Sequence, residues 1–211
     1  GAKHISEDEE LERISPILKL LITEFPNLLI SVDTFRSKIA EHCIQNGACM
    51  VNDISAGSLD AEMFSTIAKL QVPYIMMHMQ GTPKNMQAKP TYNDVVKEVL
   101  YYFSKKINEL RALGVNDIVS DVGFGFGKTV NQNYQLLKHL DLLKSLNIPT
   151  LVGLSRKSML FKPLEINQNK ALNATTVANT IALLNGANIV RVHDVNEALE
   201  AIKVVELLNK N

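Results

Sequence analysis

Six short apolar runs recur along the 211 residues, each followed by polar residues or glycine before a helical stretch. They are LLISVD (28–33), CMVNDIS (49–55), YIMMHM (74–79), DIVSDV (117–122), TLVGLS (150–155) and NIVRVHD (188–194). Strands of this length and apolarity, alternating with amphipathic helices, imply parallel pairing with helices covering the sheet. Helical periodicity is predicted over Asp8–Glu24, Ser37–Asn46, Ala61–Leu70, Asn93–Leu113, Asn131–Leu146, Ala171–Asn185 and Glu197–Leu208. The first places Leu11, Ile14, Ile17, Leu18, Leu21 and Ile22 on one side, and Ser6 with Glu9 makes a capping-box pattern at its start. Gly81, Pro83 and Pro90 argue for an irregular loop after the third strand. No linker divides the chain, so a single domain over 1–211 is expected.

Two α/β architectures compete. A doubly wound open sheet takes six strands directly, whereas a (β/α)8 barrel needs eight and typically about 250 residues. Against that count stand the polar groups at all six strand ends: Asp33, Asn52 with Asp53, His78, Asp121, Ser155 with Lys157, and Arg191 with His193. A barrel gathers every strand end around one pocket, while an open sheet does so only at its topological switch. The opening GAKHIS lacks methionine and reads as the middle of a loop, so one or two further strand units are expected upstream of Gly1.

Composition narrows the partners. Lys+Arg 22 balances Asp+Glu 22, which excludes a polybasic nucleic-acid surface and an acidic disordered tail. Neither a signal peptide nor a membrane span is visible. Cys43 and Cys49 form neither a Cys-x-x-Cys pair nor a disulfide framework, which points to a reducing cytoplasm.

The run DVGFGFGKT (121–129) looks like a nucleotide loop, but it is not one. A Walker loop needs glycine at 122, where Val122 stands, and G-x-G-x-x-G needs it at 128, where Lys128 stands. Lys128 is therefore read as loop surface. Asp33 suits either ligand binding or a helix cap with Thr34 and Ser37 nearby; three glycines weaken the cap reading for Asp121. A buried carboxylate needs donors, which a ligand with adjacent N–H groups would supply. Asn52 offers donors and an acceptor, as recognition of a heterocycle edge requires, although Asn is also common in strand-end turns. Asp53 has the stronger structural claim. Arg191 and His193, two apart on a predicted strand, point to one face and could meet an anion together. The basic pair in SRKS (155–158) suits a phosphate contact, a cap or plain surface. His78 lacks a partner at metal-ligand spacing, and a serine hydrolase fails because Lys157 replaces the second glycine of G-x-S-x-G.

Taken together, ISVDTFRSKIAEHCIQNGACMVNDI, MHMQGTP, DVGFGFGK, LVGLSRKSM and RVHDV resemble the dihydropteroate synthase family of folate biosynthesis. The resemblance runs in order over essentially the whole chain. It implies a (β/α)8 TIM barrel, here with six of its eight strands, N-terminally incomplete. It also implies the joining of 6-hydroxymethyl-7,8-dihydropterin diphosphate to p-aminobenzoate with release of diphosphate, using magnesium. By position, Asp33, Asn52 and Asp121 resemble the pterin-recognising groups deep in the barrel, and Met77 the residue packing near the ring. Lys157 resembles the lysine between the two substrates, Arg191 with His193 the diphosphate-holding pair, and Ser155 with Phe126 the p-aminobenzoate environment. Gly123, Gly125 and Gly153 would let backbone approach the flat substrate. Asp121, Lys157, Arg191 and His193 are the expected catalytic groups.

The family further implies a cytoplasmic homodimer built through C-terminal helices, sulfonamide sensitivity, and fusion in some members to the preceding pterin pyrophosphokinase. This chain departs from the family at Val122, where proline is usual, and at ALNATT (171–176), where an arginine-bearing helix start is usual. The Asn-bearing first strand and the Ser-Thr-Arg-Pro-Gly loop of the family are absent before Gly1; Gly1-Ala2 resembles the tail of that loop. A non-catalytic or methyltransferase-associated pterin-binding barrel is the alternative, and it gives less reason to keep Lys157, Arg191 and His193.

Overall fold

The first helix, α1 (Glu7–Glu24), begins where the Ser6 hydroxyl accepts the Glu9 N–H at 3.1 Å, and its first turn is acidic, as the helix dipole favours. Leu18 is its one buried residue, and Ile17 is 58% exposed against the expectation of a shared stripe. Consecutive helical residues lie about 100° apart, so a narrow contact that buries Leu18 turns Ile17 outward. The computed structural model describes residues 5–82, 86 and 90–210, so Gly1, Ala2 and Pro83 lie outside the described residues.

Strand β1 (Ser31–Asp33) is shorter than its apolar run. Leu28 donates its N–H to Phe25 O in a turn, and pairing starts only where Cys49 N–H reaches Ile30 O at 2.9 Å. Leu28 and Leu29 are consequently exposed, not strand core. Next come α2 (Ser37–Gln45), β2 (Met50–Asp53), α3 (Met63–Leu70), β3 (Tyr74–Met77), α4 (Val95–Ala112) and β4 (Ile118–Asp121). α5 (Val130–Lys138) opens on a Thr129/Gln132 capping box. The helix predicted to Leu146 breaks at His139, and Leu140–Leu146 winds as a 3-10 helix that buries Leu140 and Leu143, spaced for its three-residue turn. The chain closes with β5 (Thr150–Val152), α6 (Ser158–Phe161), α7 (Leu172–Leu184), β6 (Ile189–Val190) and α8 (Val195–Asn209).

Two compact units divide the chain: Gly1–Met77 with Ser104–Val119, and His78–Phe103 with Ser120–Asn211. Within the first, β1, β2 and β3 pair in parallel, with Asp33 level with Asn52 and Asn52 level with Ile75. Its core includes Val32, Ile39, Cys43, Val51 and Ile67, and Cys43 and Cys49 are free thiols. Within the second, β4, β5 and β6 pair in parallel, and Phe124, Leu136, Leu140, Val152, Leu154 and Met159 are buried.

Strand order decides between the two architectures. The strands follow one another as β1-β2-β3-β4-β5-β6, each hydrogen-bonded to the next in sequence. That is the succession of a (β/α)8 barrel; a doubly wound sheet reverses direction at an internal switch point.

Candidate functional site

β4 ends in Asp121, whose carboxylate is fully buried. One oxygen accepts the Gly123 N–H at 2.9 Å, and the other accepts Arg191 Nη2 at 2.7 Å. The pairing follows from register. Asp121, Leu151 and Ile189 are level across β4, β5 and β6, and Arg191 lies two residues beyond Ile189 on the same face. Gly153 makes this approach possible, because a Cβ there would stand 3.0 Å from Arg191 Nη2. Its missing side chain thus accommodates the guanidinium.

Beyond Asp121 the chain turns tightly. Gly123, Gly125 and Gly127 are all left-handed, and Phe126 N–H donates to Gly123 O at 3.0 Å. The loop is held from outside at two points, where Gly125 N–H donates to Asn133 Oδ1 at 2.7 Å and Tyr92 Oη donates to Gly127 O at 2.8 Å. At Gly127 any side chain would collide with the Gln80 backbone, whose oxygen would be 2.7 Å from the new Cβ.

Two lysines converge on this loop. Lys157 donates to Phe124 O, and its Nζ lies 4.7 Å from the centre of the Phe126 ring, a cation–π distance. Burial pulls its pKa down to about 8, with Arg191 acting in the same sense and Asp121 opposing. Lys128, expected on the loop surface, is only 3% exposed and donates to three main-chain carbonyls, so that reading is corrected. Its four-carbon stem lets the ammonium reach inward to the oxygens of His78, Gly123 and Phe126. Burial lowers its pKa to about 7, opposed by Asp121 and reinforced by Lys157.

The expectation that Arg191 and His193 project from one strand is also corrected. β6 stops at Val190, and Arg191 adds one more ladder bond, its N–H to Val152 O at 2.9 Å. Edge pairing with β5 ends there, so His193 follows loop geometry. Its Nδ1 lies 2.8 Å from Ser155 Oγ, and its backbone N–H also donates to that oxygen at 3.3 Å. Within SRKS, Arg156 turns away in a two-point ion pair with Asp194, and its backbone N–H donates to Thr175 Oγ1 at 3.0 Å. Thr175 belongs to ALNATT, so that departing segment braces the loop that carries Lys157.

The other residues expected from the sequence lie in the first unit. Asp33, Asn52 and Met77 leave one face of the β1–β3 sheet, since Asp33 and Asn52 are level and Met77 is two residues past Ile75. Asn52 and Met77 are buried, while Asp33, expected deep, is exposed. β1 contributes the sequence's first strand, and only Val32 turns toward the buried side. Asp53 faces the other way and is wholly structural, accepting from Ser55 N–H and Oγ, Gly57 N–H and Tyr74 Oη, each at 2.7 Å.

His78 is buried with its ring edge-on to Tyr102 at 4.8 Å, and burial first, then Lys128, pulls its pKa to about 3. It is a neutral packing group. Among the described residues no group of three or more His, Cys, Asp or Glu stands together. Magnesium takes oxygen ligands, commonly one or two carboxylates with substrate phosphates. Arg191 already stands against one Asp121 oxygen with Lys128 and Lys157 close by, so a dication there would meet like charge, and the described residues do not fit a resident magnesium site.

Sequence reasoning missed Lys128, Asn133 and Tyr92. The Gly-Lys-Thr ending did flag Lys128, but failure of the nucleotide motif left it without a partner; the others act through contacts distant in sequence.

A family model described as pterin binding enzyme matches residues 1–193. The chain is 39% identical to the dihydropteroate synthase of Escherichia coli (strain K12) over 212 aligned residues, covering 98% of this chain and 73% of that one. A crystal structure of the Yersinia pestis dihydropteroate synthase with a sulfonamide drug complex superposes with a TM-score of 0.95 at 38% identity, over 100% of this chain and 77% of that chain. The folate synthesis bifunctional protein of Arabidopsis thaliana is 36% identical over 98% of this chain and 46% of its own length.

Proposed function

The chain belongs to the dihydropteroate synthase family, transferases of folate synthesis, and on that premise we propose that it joins a dihydropterin diphosphate to p-aminobenzoate. The observation that carries this reading is the buried Asp121 carboxylate set among Arg191, Lys157 and Lys128. One acid suits the adjacent N–H donors of a pterin, and Arg191 with Lys157 suits a diphosphate, Lys128 being held by main-chain carbonyls.

The reaction needs no protein nucleophile. The bond between the exocyclic methylene and the diphosphate oxygen breaks, the electron pair leaves with diphosphate, and the pterin cation is attacked by the aromatic amine, which then gives up a proton. Arg191 and His193 would meet charge on the leaving group, while Asp121 holds the pterin through hydrogen bonds and charge. Lys157 and Phe126, in cation–π contact, would border both substrates, with Ser155 beside His193. Magnesium would arrive with the diphosphate as part of that substrate, and omitting it from the assay should reduce turnover.

Incubating the protein with the pterin diphosphate, p-aminobenzoate and magnesium should yield dihydropteroate. Tight pterin binding without product would promote the alternative of a pterin-binding barrel.

A pH dependence follows from Lys157. Its ordinary pKa is 10.5 and its folded value about 8, so between these values the unfolded chain holds the proton and the folded chain does not. The residue's contribution to stability therefore rises with pH over that window, while the ammonium facing the substrates is lost. We expect kcat/KM to fall as pH passes about 8 and Lys157→Arg to remove that limb; an identical limb in the variant would reject the assignment.

α7 and α8 expose Val177, Ile181, Leu184, Leu199, Val204 and Leu207, which supports pairing of two copies through these helices. A monomer in sedimentation at micromolar concentration would reject the homodimer. No helix among the described residues is long and apolar enough to cross a membrane. The free thiols support a cytoplasmic setting.

A further inference from the structure

A lysine ammonium has three donors and no acceptor, and burying it is costly unless all three are used. Lys128 uses all three. Its Nζ donates to His78 O at 3.2 Å, Gly123 O at 3.0 Å and Phe126 O at 3.0 Å. These carbonyls come from three separate points of the backbone: the residue after β3, the first turn of the glycine loop and its second turn. With its donors committed and only 3% of the residue exposed, Lys128 cannot be a phosphate ligand, despite the Gly-Lys-Thr ending.

Position explains what it does. His78 N–H donates to Asp121 O at 3.0 Å, so the same short stretch that pairs with the Asp121 backbone also anchors the ammonium. Gly123, whose carbonyl Lys128 holds, gives its N–H to the Asp121 carboxylate. Phe126, whose carbonyl it also holds, presents its ring to Lys157. Asn133 and Tyr92 secure the loop from outside, and Lys128 is its inner anchor. An asparagine or glutamine could not replace it, since a side-chain amide carries only two donors.

We propose that Lys128 is a positioning residue for the synthase reaction, its three-carbonyl anchorage fixing the 123–126 loop so that Asp121 and Phe126 stay in register with the two substrates. The inference rests on the synthase reading. In the full chain, Lys128→Met should leave a folded protein whose amides at Gly123, Gly125 and Phe126 exchange with solvent about tenfold faster or more, with exchange elsewhere unchanged. Its kcat/KM should fall by about 100-fold, with KM for p-aminobenzoate raised, as loss of alignment predicts and a uniform loss of stability does not. No product from the wild type sinks the synthase reading and this proposal together. Product from the wild type, with unchanged kinetics or unchanged loop exchange in folded Lys128→Met, sinks the proposal alone. Should that variant not fold, lysine-15N spectra of the wild type recorded below its pKa of about 7 decide: a slowly exchanging Lys128 ammonium bonded to carbonyls is expected, and its absence overturns the proposal.

Discussion

Asp121→Asn should lower kcat/KM for dihydropteroate formation by about 10²- to 10³-fold while leaving the fold intact, the size of effect typical of losing one preorganised electrostatic group from a site. Asparagine keeps the shape and can still accept the Gly123 N–H, so the change isolates charge. What is lost is the carboxylate that bonds Arg191 and acts on Lys128 and Lys157. Arg191 loses its 2.7 Å partner, and Lys128 and Lys157 lose the one charge that opposes the depression of their pKa values. Both lysines should then lose their protons at lower pH than in the wild type, which lysine-15N titration would read directly. A variant with wild-type kinetics would show that the carboxylate neither holds the pterin nor balances the site, and the proposed mechanism would fall with it.

Asp53→Ala should destabilise the protein by about 4 kcal/mol or more, a large share of the ~5–15 kcal/mol typical of a domain. Four donors converge on this wholly buried carboxylate: Ser55 N–H and Oγ, Gly57 N–H and Tyr74 Oη. Truncation removes the shared acceptor of all four donors at the end of β2, where the carboxylate ties the turn after β2 to Tyr74 of β3. Tyr74→Phe, which removes a single donor, should cost only about 1–2 kcal/mol. Urea denaturation of the two variants measures the contrast. If Asp53→Ala unfolds within 1 kcal/mol of the wild type, roughly the net worth of one hydrogen bond, the four bonds are not holding the turn.

The two acids, both at the ends of short apolar strands, show where the sequence was legible. Of the neighbouring Asn52 and Asp53, Asp53 has the stronger structural claim, and its four bonds bear this out: Asn52 shares a face with Asp33 and Met77, Asp53 the opposite one with Tyr74. Asp121 was singled out because three glycines left it no helix to cap, and the carboxylate does turn to Gly123 and Arg191. Asp33 could not be placed from pattern alone, since its exposure depends on what packs over one face of β1. Lys128 was misread for a related reason. Periodicity reports which residues are apolar, whereas a lysine buries itself only when distant carbonyls are brought to its tip.

By itself, the sequence determined the alternation of strands and helices, the strand-end positions of the polar groups and the failure of both nucleotide motifs, because these depend on local periodicity and fixed spacing. Tertiary structure alone decided the consecutive strand order, the Asp121–Arg191 pair formed across 70 residues, the Ser155–His193 contact and the burial of Lys128. Each of these joins groups far apart in the chain, and hydrogen bonds between such groups exist only once parallel pairing has set their register.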